Sequence, residues 1–298
     1  MSTSVIILCR DQQNFVNYAI AKLCEQTVLP RNIIVVDDGS IEPFYPIVDT
    51  LVTVIRNEKS VGRARGRNIG INKALTMGNN YLVFFDGDSF PANKHFIENY
   101  EKAFSEYGSE CVGFYGMREH IQRPEDFEEF LKDDESCCYM PVDKMPSSFL
   151  NSNSDNLYDN LYFERELDYK DYRDISGIVD LYNKMTSFNE KMDLILTGRI
   201  TWSCNFAIDV PGLKAIRRIN DDLFYFDDTE FKSWGHEDVA FGVDSMFAGV
   251  ECRLITNTYI KHFLHERAPE DTVVGRTAGR HKIMNRYRKH LMRKLIGY

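Results

Sequence analysis

Two apolar runs in the first ninety residues end in paired carboxylates, and this recurrence constrains the fold more than any other feature of the chain. Ile33-Ile34-Val35-Val36 runs into Asp37-Asp38-Gly39-Ser40, and Tyr81-Leu82-Val83-Phe84-Phe85 runs into Asp86-Gly87-Asp88-Ser89. Runs without polar alternation suit strands covered on both faces, as in a parallel sheet. Val5 to Leu8 and Val52 to Ile55 read the same way, and Cys111 to Tyr115 looks like a fifth strand. Between them Phe15, Tyr18, Ala19 and Leu23 recur at helical spacing, and a second helix is expected from about Val61 to Met77 with Gly78 as its C-cap. Pro91 is expected to open a third, with Phe96, Tyr100, Ala103 and Tyr107 on one face. Strands alternating with helices imply an α/β fold with a mixed, mostly parallel sheet, whose ligands sit at the carboxyl ends of the strands.

The pattern breaks between about Glu119 and Leu196, where acidic residues and then Tyr, Asn, Asp and Ser dominate. This stretch reads as an insertion of short helices and loops. Its tyrosines suit packing under loops better than stacking on sugar rings. Regular structure is expected again at Thr201 to Ile208, then a turn over Trp234-Gly235-His236-Glu237-Asp238 into a helix, and last strands at Cys252 to Ile255 and Tyr259 to Phe263. At 298 residues the chain can bury a full core. No stretch reaches the ~20 apolar residues that cross a bilayer, and the first residues lack a basic, cleavable leader, so a cytoplasmic protein is expected. The seven scattered cysteines do not pair as a disulfide framework or a zinc site would.

Asp86-Gly87-Asp88 carries the strongest chemical signal. Two carboxylates around one small residue can both face Mn²⁺ or Mg²⁺, a hard cation that shares the diphosphate of a nucleotide donor. Asp37 and Asp38 could accept from a uracil N–H or a ribose hydroxyl, or one of them could close an Asx-turn. Arg63, Arg65 and Arg67 precede or open the second helix; Arg67, beside Asn68, is the candidate for phosphate. Glu237-Asp238 offers a base for an incoming hydroxyl, with Trp234 as an apolar platform, or else an acidic first turn that complements the helix dipole. His262 or His265 could complete the coordination sphere of the metal.

Taken together, these residues resemble the GT-A glycosyltransferases, family 2 in particular, with a galactosyltransferase-like C-terminal half. The resemblance covers most of residues 4–118 and 200–269. It rests on Val36 to Ser40, Arg67-Asn68-Ile69-Gly70, Phe85 to Asp88, Ser203-Cys204-Asn205 and Trp234 to Asp238. It implies a Rossmann-like GT-A catalytic domain over 1–270: a nucleotide-sugar half (1–118), an acceptor-shaping insertion (119–199) and an acceptor and catalytic half (200–270). It further implies an inverting enzyme with a UDP-sugar donor. Asp37 or Asp38 would contact uracil or ribose, and Arg67, Asn68, Gly87 and Trp234 would line the donor site. Asp86 and Asp88 would hold Mn²⁺ with His265, or failing that His262. Asp238 would be the base, with Glu237 aiding the acceptor. The chain departs from the family at Cys9-Arg10-Asp11, where a proline, a small residue and Tyr-Asn are usual.

Residues 271–298 remain as a basic tail. The stretch 273–298 carries eight Lys and Arg and no Asp or Glu, against a net charge of −9 for the whole chain. Ile283, Tyr287, Leu291 and Leu295 recur every four residues within it, the pattern of an amphipathic helix. Such a helix could pack on its own acidic domain, lie on an anionic membrane as a peripheral contact, or meet a lipid-linked, protein or nucleic-acid acceptor, although a glycan acceptor is the main expectation. A nucleotidyltransferase is the first rival reading, but it would want a Gly-rich loop after the first strand, where this chain reads Cys9-Arg10-Asp11-Gln12-Gln13. A non-catalytic sugar-nucleotide-binding module is the second, and it leaves Asp86, Asp88, Glu237 and Asp238 without a purpose.

Overall fold

The computed structural model describes residues 2–48, 50–107, 110–121, 188, 192, 204–232, 236–263 and 273–296. Trp234, His265 and nearly all of the expected insertion lie outside them. The elements run β1 (Thr3–Cys9), α1 (Gln13–Cys24), β2 (Asn32–Asp37), β3 (Val52–Arg56), α2 (Arg63–Thr76), β4 (Tyr81–Asp86), β5 (Ser89–Pro91), α3 (Phe96–Tyr107) and β6 (Val112–Ile121). After the insertion come β7 (Phe206–Asp209), α4 (Val210–Ile219), α5 (Glu237–Phe247), β8 (Glu251–Phe263) and α6 (Val273–Leu295). The strands form one sheet in the order β3-β2-β1-β4-β7-β6-β8-β5. The β3-β2-β1-β4 block is parallel, and β7 and β5 enter antiparallel.

Adjacent residues on the parallel strands serve opposite faces of this sheet. Ile6, Ile34, Val36, Leu82 and Phe84 face a core completed by residues of α2, α4, α5 and α6. Val5, Ile7, Ile33, Val35, Val83 and Phe85 face a second core with α1 and α3. Burying each such side chain contributes about 1.5–3 kcal/mol, which is why the apolar runs admit no polar alternation. Register then sets the position of the chemistry. Cys9 of β1 pairs with Asp37, and Leu8 pairs with Asp86, so both carboxylate ends flank the end of the same central strand.

The structure corrects two sequence expectations and adds one element. Pro91 does not open a helix. It closes β5 at the edge of the sheet, where a missing N–H is tolerated, and α3 starts at Phe96. The two last strands are one, Glu251–Phe263; the polar stretch between them lies at a register shift opposite Gly116, where a Cβ would come 2.3 Å from Thr258 Oγ1. The added element is α4, which the sequence reading did not include. Its signals were in the sequence: Asp209 caps it by accepting from the Gly212 N–H at 2.8 Å, Pro211 lies in its first turn, and Arg217 and Arg218 lie in its last.

The basic tail does form a helix, α6, and it packs on its own domain. Ile283 joins the core beside α5, Arg286 is buried, and Lys282 donates to the Glu230 carbonyl at 2.9 Å. Among the described residues no helix is long and apolar enough to cross a membrane.

Candidate active site

Strand β4 delivers Asp86 to the carboxyl edge of the sheet, and the turn through Gly87 brings Asp88 round beside it. A Cβ on Gly87 would lie 2.4 Å from Gln12 Oε1 and 3.0 Å from the Leu8 carbonyl, so a larger residue between the two aspartates would have to displace the Gln12 side chain and crowd the end of β1. His262 arrives from β8, whose antiparallel register sets it opposite Ser89. One ligand atom from each of Asp86, Asp88 and His262 lies within 4.8 Å of the other two. His262 Nε2 is 3.4 Å from Asp88 Oδ1. Burial raises the pKa of Asp86, but the charges of Arg67, Arg63 and His262 more than reverse this and bring it down to about 2. That carboxylate is therefore ionised at neutral pH.

Arg67 joins this trio to the second acidic pair. It projects from α2 and is 1% exposed. Its Nη2 donates to Asp86 Oδ1 at 2.8 Å and its Nη1 to Glu237 Oε1 at 2.6 Å. Its guanidinium also lies 5.5 Å from the Phe226 ring. Glu237 opens α5 and is 2% exposed; its Oε2 has no partner among the described residues. Asp238 follows, half-buried, with Oδ1 accepting from the Val239 N–H at 2.8 Å. Desolvation first, and then the charge of Glu237, push Asp238 up to about 7 against the opposing pull of Arg67. Asp86 adds a smaller upward push, as expected of groups sharing one site.

The other acidic strand end is built differently. Asp37 accepts from the Ser40 N–H at 2.9 Å, the Phe44 N–H at 3.1 Å and Arg56 Nη1 at 2.6 Å. Asp38 accepts from Asn57 Nδ2 at 3.0 Å, Ser60 Oγ at 2.7 Å and the N–H groups of Val61 and Gly62 at 2.8 and 3.1 Å. Both side chains are buried, and their oxygens bind the loops that follow β2 and β3. Asn68 is engaged in the same way: it donates to the Phe226 carbonyl at 2.7 Å and accepts the Phe226 N–H at 2.9 Å.

Residues 4–139 match the family described as Glycosyl transferase family 2. S. aureus TarS 1–349 in complex with UDP aligns with a TM-score of 0.53 at 14% identity, covering 98% of this chain and 66% of that one. The same protein in complex with UDP-GlcNAc gives 0.52 at 14% identity, covering 90% and 60%. The fold is that of a family 2-like GT-A glycosyltransferase. No curated protein sequence matches, and the chain spans about two thirds or less of the length of the solved TarS chains.

Of the residues expected to form the donor and catalytic site, Asp86, Asp88, Glu237, Asp238 and Arg67 gather at one place. Gly87 belongs with them as the turn that makes the pair possible. His262, the second choice for the histidine, stands with the aspartates; His265, the first choice, and Trp234 lie outside the described residues. Asp37, Asp38 and Asn68 hold loops together. Sequence reading missed Phe226, whose carbonyl accepts from Asn68, whose N–H donates to it, and whose ring lies under the Arg67 guanidinium. Its one signal was an aromatic cluster, Phe224-Tyr225-Phe226, ahead of Asp227.

Proposed function

We propose that this chain is an inverting, metal-dependent glycosyltransferase that moves a sugar from a UDP-sugar to an acceptor hydroxyl, in the synthesis of a glycan or glycoconjugate. The observation that carries the reading is Arg67, whose two terminal nitrogens bond one carboxylate of the metal-type cluster and one of the base-type pair. That link supports a reading in which the two acidic groups serve one reaction.

Asp86, Asp88 and His262 fit a divalent cation: two carboxylate oxygens and an imidazole nitrogen converge from two strands, and only Oδ1 of Asp86 is bonded to Arg67. Mn²⁺ or Mg²⁺ bound there would neutralise the diphosphate that leaves with the nucleotide. The UDP and UDP-GlcNAc complexes of TarS, which share the fold, motivate UDP as the carrier. Asp238 takes the proton from the acceptor hydroxyl as the sugar carbon becomes electron-deficient. A pKa pushed up to about 7 makes it a stronger base than an ordinary carboxylate while leaving it ionised in much of the protein at neutral pH. Glu237 is held by Arg67 through Oε1, and its Oε2 offers an acceptor to the same substrate hydroxyl or a neighbouring one.

The test separates binding from transfer. In Asp238→Asn, calorimetry should show UDP and Mn²⁺ binding as in the parent. Transfer from the UDP-sugar should fall by about 10²–10⁴-fold, the usual contribution of a general base. Full activity in that variant would remove Asp238 from the role.

A further inference from the structure

We propose that α6 braces the catalytic turn, with Gly279 and Arg286 as positioning residues for Glu237 and Asp238. Its kinetic consequence rests on the glycosyltransferase reading; its structural consequence does not.

The turn needs a brace. His236, the residue before Glu237, is the N-cap of α5 and has φ = 68°, a left-handed conformation that side chains other than glycine seldom adopt. Such a conformation persists only when its surroundings hold it. Among the described residues, α6 closes on it from one side. A Cβ built on Gly279 would lie 2.4 Å from His236 Nδ1, 2.8 Å from Cε1 and 2.9 Å from Cγ. The helix backbone therefore closes directly on the imidazole, and no other residue type at 279 permits the approach without displacing the ring.

Two turns further along α6, Arg286 enters the interior, only 6% exposed. It donates to Asp244 through Nε at 2.5 Å and Nη2 at 2.6 Å, to Asn220 Oδ1 at 2.8 Å, and to Asp227. Asp244 also accepts from Asn220 Nδ2 at 2.9 Å, and His290 Nε2 sits 2.9 Å from it. Asp244 lies on α5, two turns beyond Glu237. Asp227 follows Phe226, whose backbone bonds Asn68, the neighbour of Arg67. One guanidinium thus fixes both the helix that carries the base and the loop that reaches the arginine bridging Asp86 and Glu237. A buried charge network is a poor way to gain stability alone, because apolar packing does as well at lower desolvation cost; directional bonds define geometry. These cations of the tail hold a position inside the protein.

Gly279→Ala tests this cleanly, because alanine favours a helix over glycine and any loss must come from the clash with His236. In the full chain, amide exchange at residues 237–240 should quicken by about tenfold and kcat should fall by about tenfold or more, as small misplacements of catalytic groups do, with the donor KM within about twofold. Arg286→Met should show the same split. Lys289→Ala, exposed on the same helix, should match the parent in exchange and kcat. A folded Gly279→Ala protein with parental exchange at 237–240 and parental kcat would overturn the brace. If the parent transfers no sugar from any UDP-sugar, the functional reading fails, and the exchange measurement alone then decides the brace.

Discussion

Two strands of this chain end in paired aspartates, and the structure gives the pairs opposite fates. At the end of β2, Asp37 and Asp38 collect seven hydrogen bonds from their own loops and from Arg56. At the end of β4, Asp86 and Asp88 collect a histidine from β8 and an arginine shared with Glu237. The first pair is supplied with donors by segments close to it in sequence. The second is assembled across 170 residues and brings acidic groups near one another, an arrangement costly to stability and useful to chemistry. The two pairs differ in how far along the chain their partners lie, and the motif alone does not contain that.

Replacements on the two sides should therefore behave differently. The largest effect on stability is expected from Arg67→Met. It leaves the buried Glu237 without its counter-charge and takes one of several cationic neighbours from the part-buried Asp86, and breaking a buried pair costs about 3–5 kcal/mol. Urea unfolding reads it; a loss below about 1 kcal/mol would mean that the arginine does not bridge the two acidic groups in solution.

At the β2 end a smaller loss of stability should appear in the same urea experiment. Asp38→Ala removes the acceptor of four donors and should cost about 1–3 kcal/mol, the penalty of leaving buried donors unmet. Asp37 adds a pH signature. Burial raises its pKa, but the side-chain and backbone donors at Ser40, the Phe44 amide and Arg56 outweigh that, so its folded value lies below the ordinary 3.8. The stability it contributes is complete above pH 3.8 and is lost as pH falls through the lower folded value. Asp37→Asn should flatten that acid-side slope in urea midpoints measured below pH 4, and a slope identical to the parent would show that Asp37 is not held as described.

The core of the fold was legible because periodicity reports burial. Four apolar runs gave β1 to β4, and helical spacing gave α1, α2 and α6. Pro91 misled because proline at a helix start and proline on an edge strand look alike until the neighbouring strand is known. The break in β8 misled because a bulge places polar residues inside one continuous strand. The carboxylates 86, 88, 237 and 238 were legible from their places at a strand end and a helix start. For Asp37, Asp38 and Asn68 nothing local in the sequence reveals that Arg56, Ser60 and Phe226 will bond them. The tail showed its charge and period but not its partner, since Asp227 and Asp244 lie more than forty residues upstream of Arg286.

The proposed reaction requires Asp86, Asp88 and His262 to form one cation site that grips a nucleotide diphosphate. Manganese binding in the presence of UDP, followed through loss of the free-ion electron paramagnetic resonance signal, tests it most directly. The parent should take up Mn²⁺ with UDP, while Asp88→Ala and His262→Ala should each leave most of the free-ion signal in place. Undiminished UDP-linked uptake of Mn²⁺ in both variants would contradict the account.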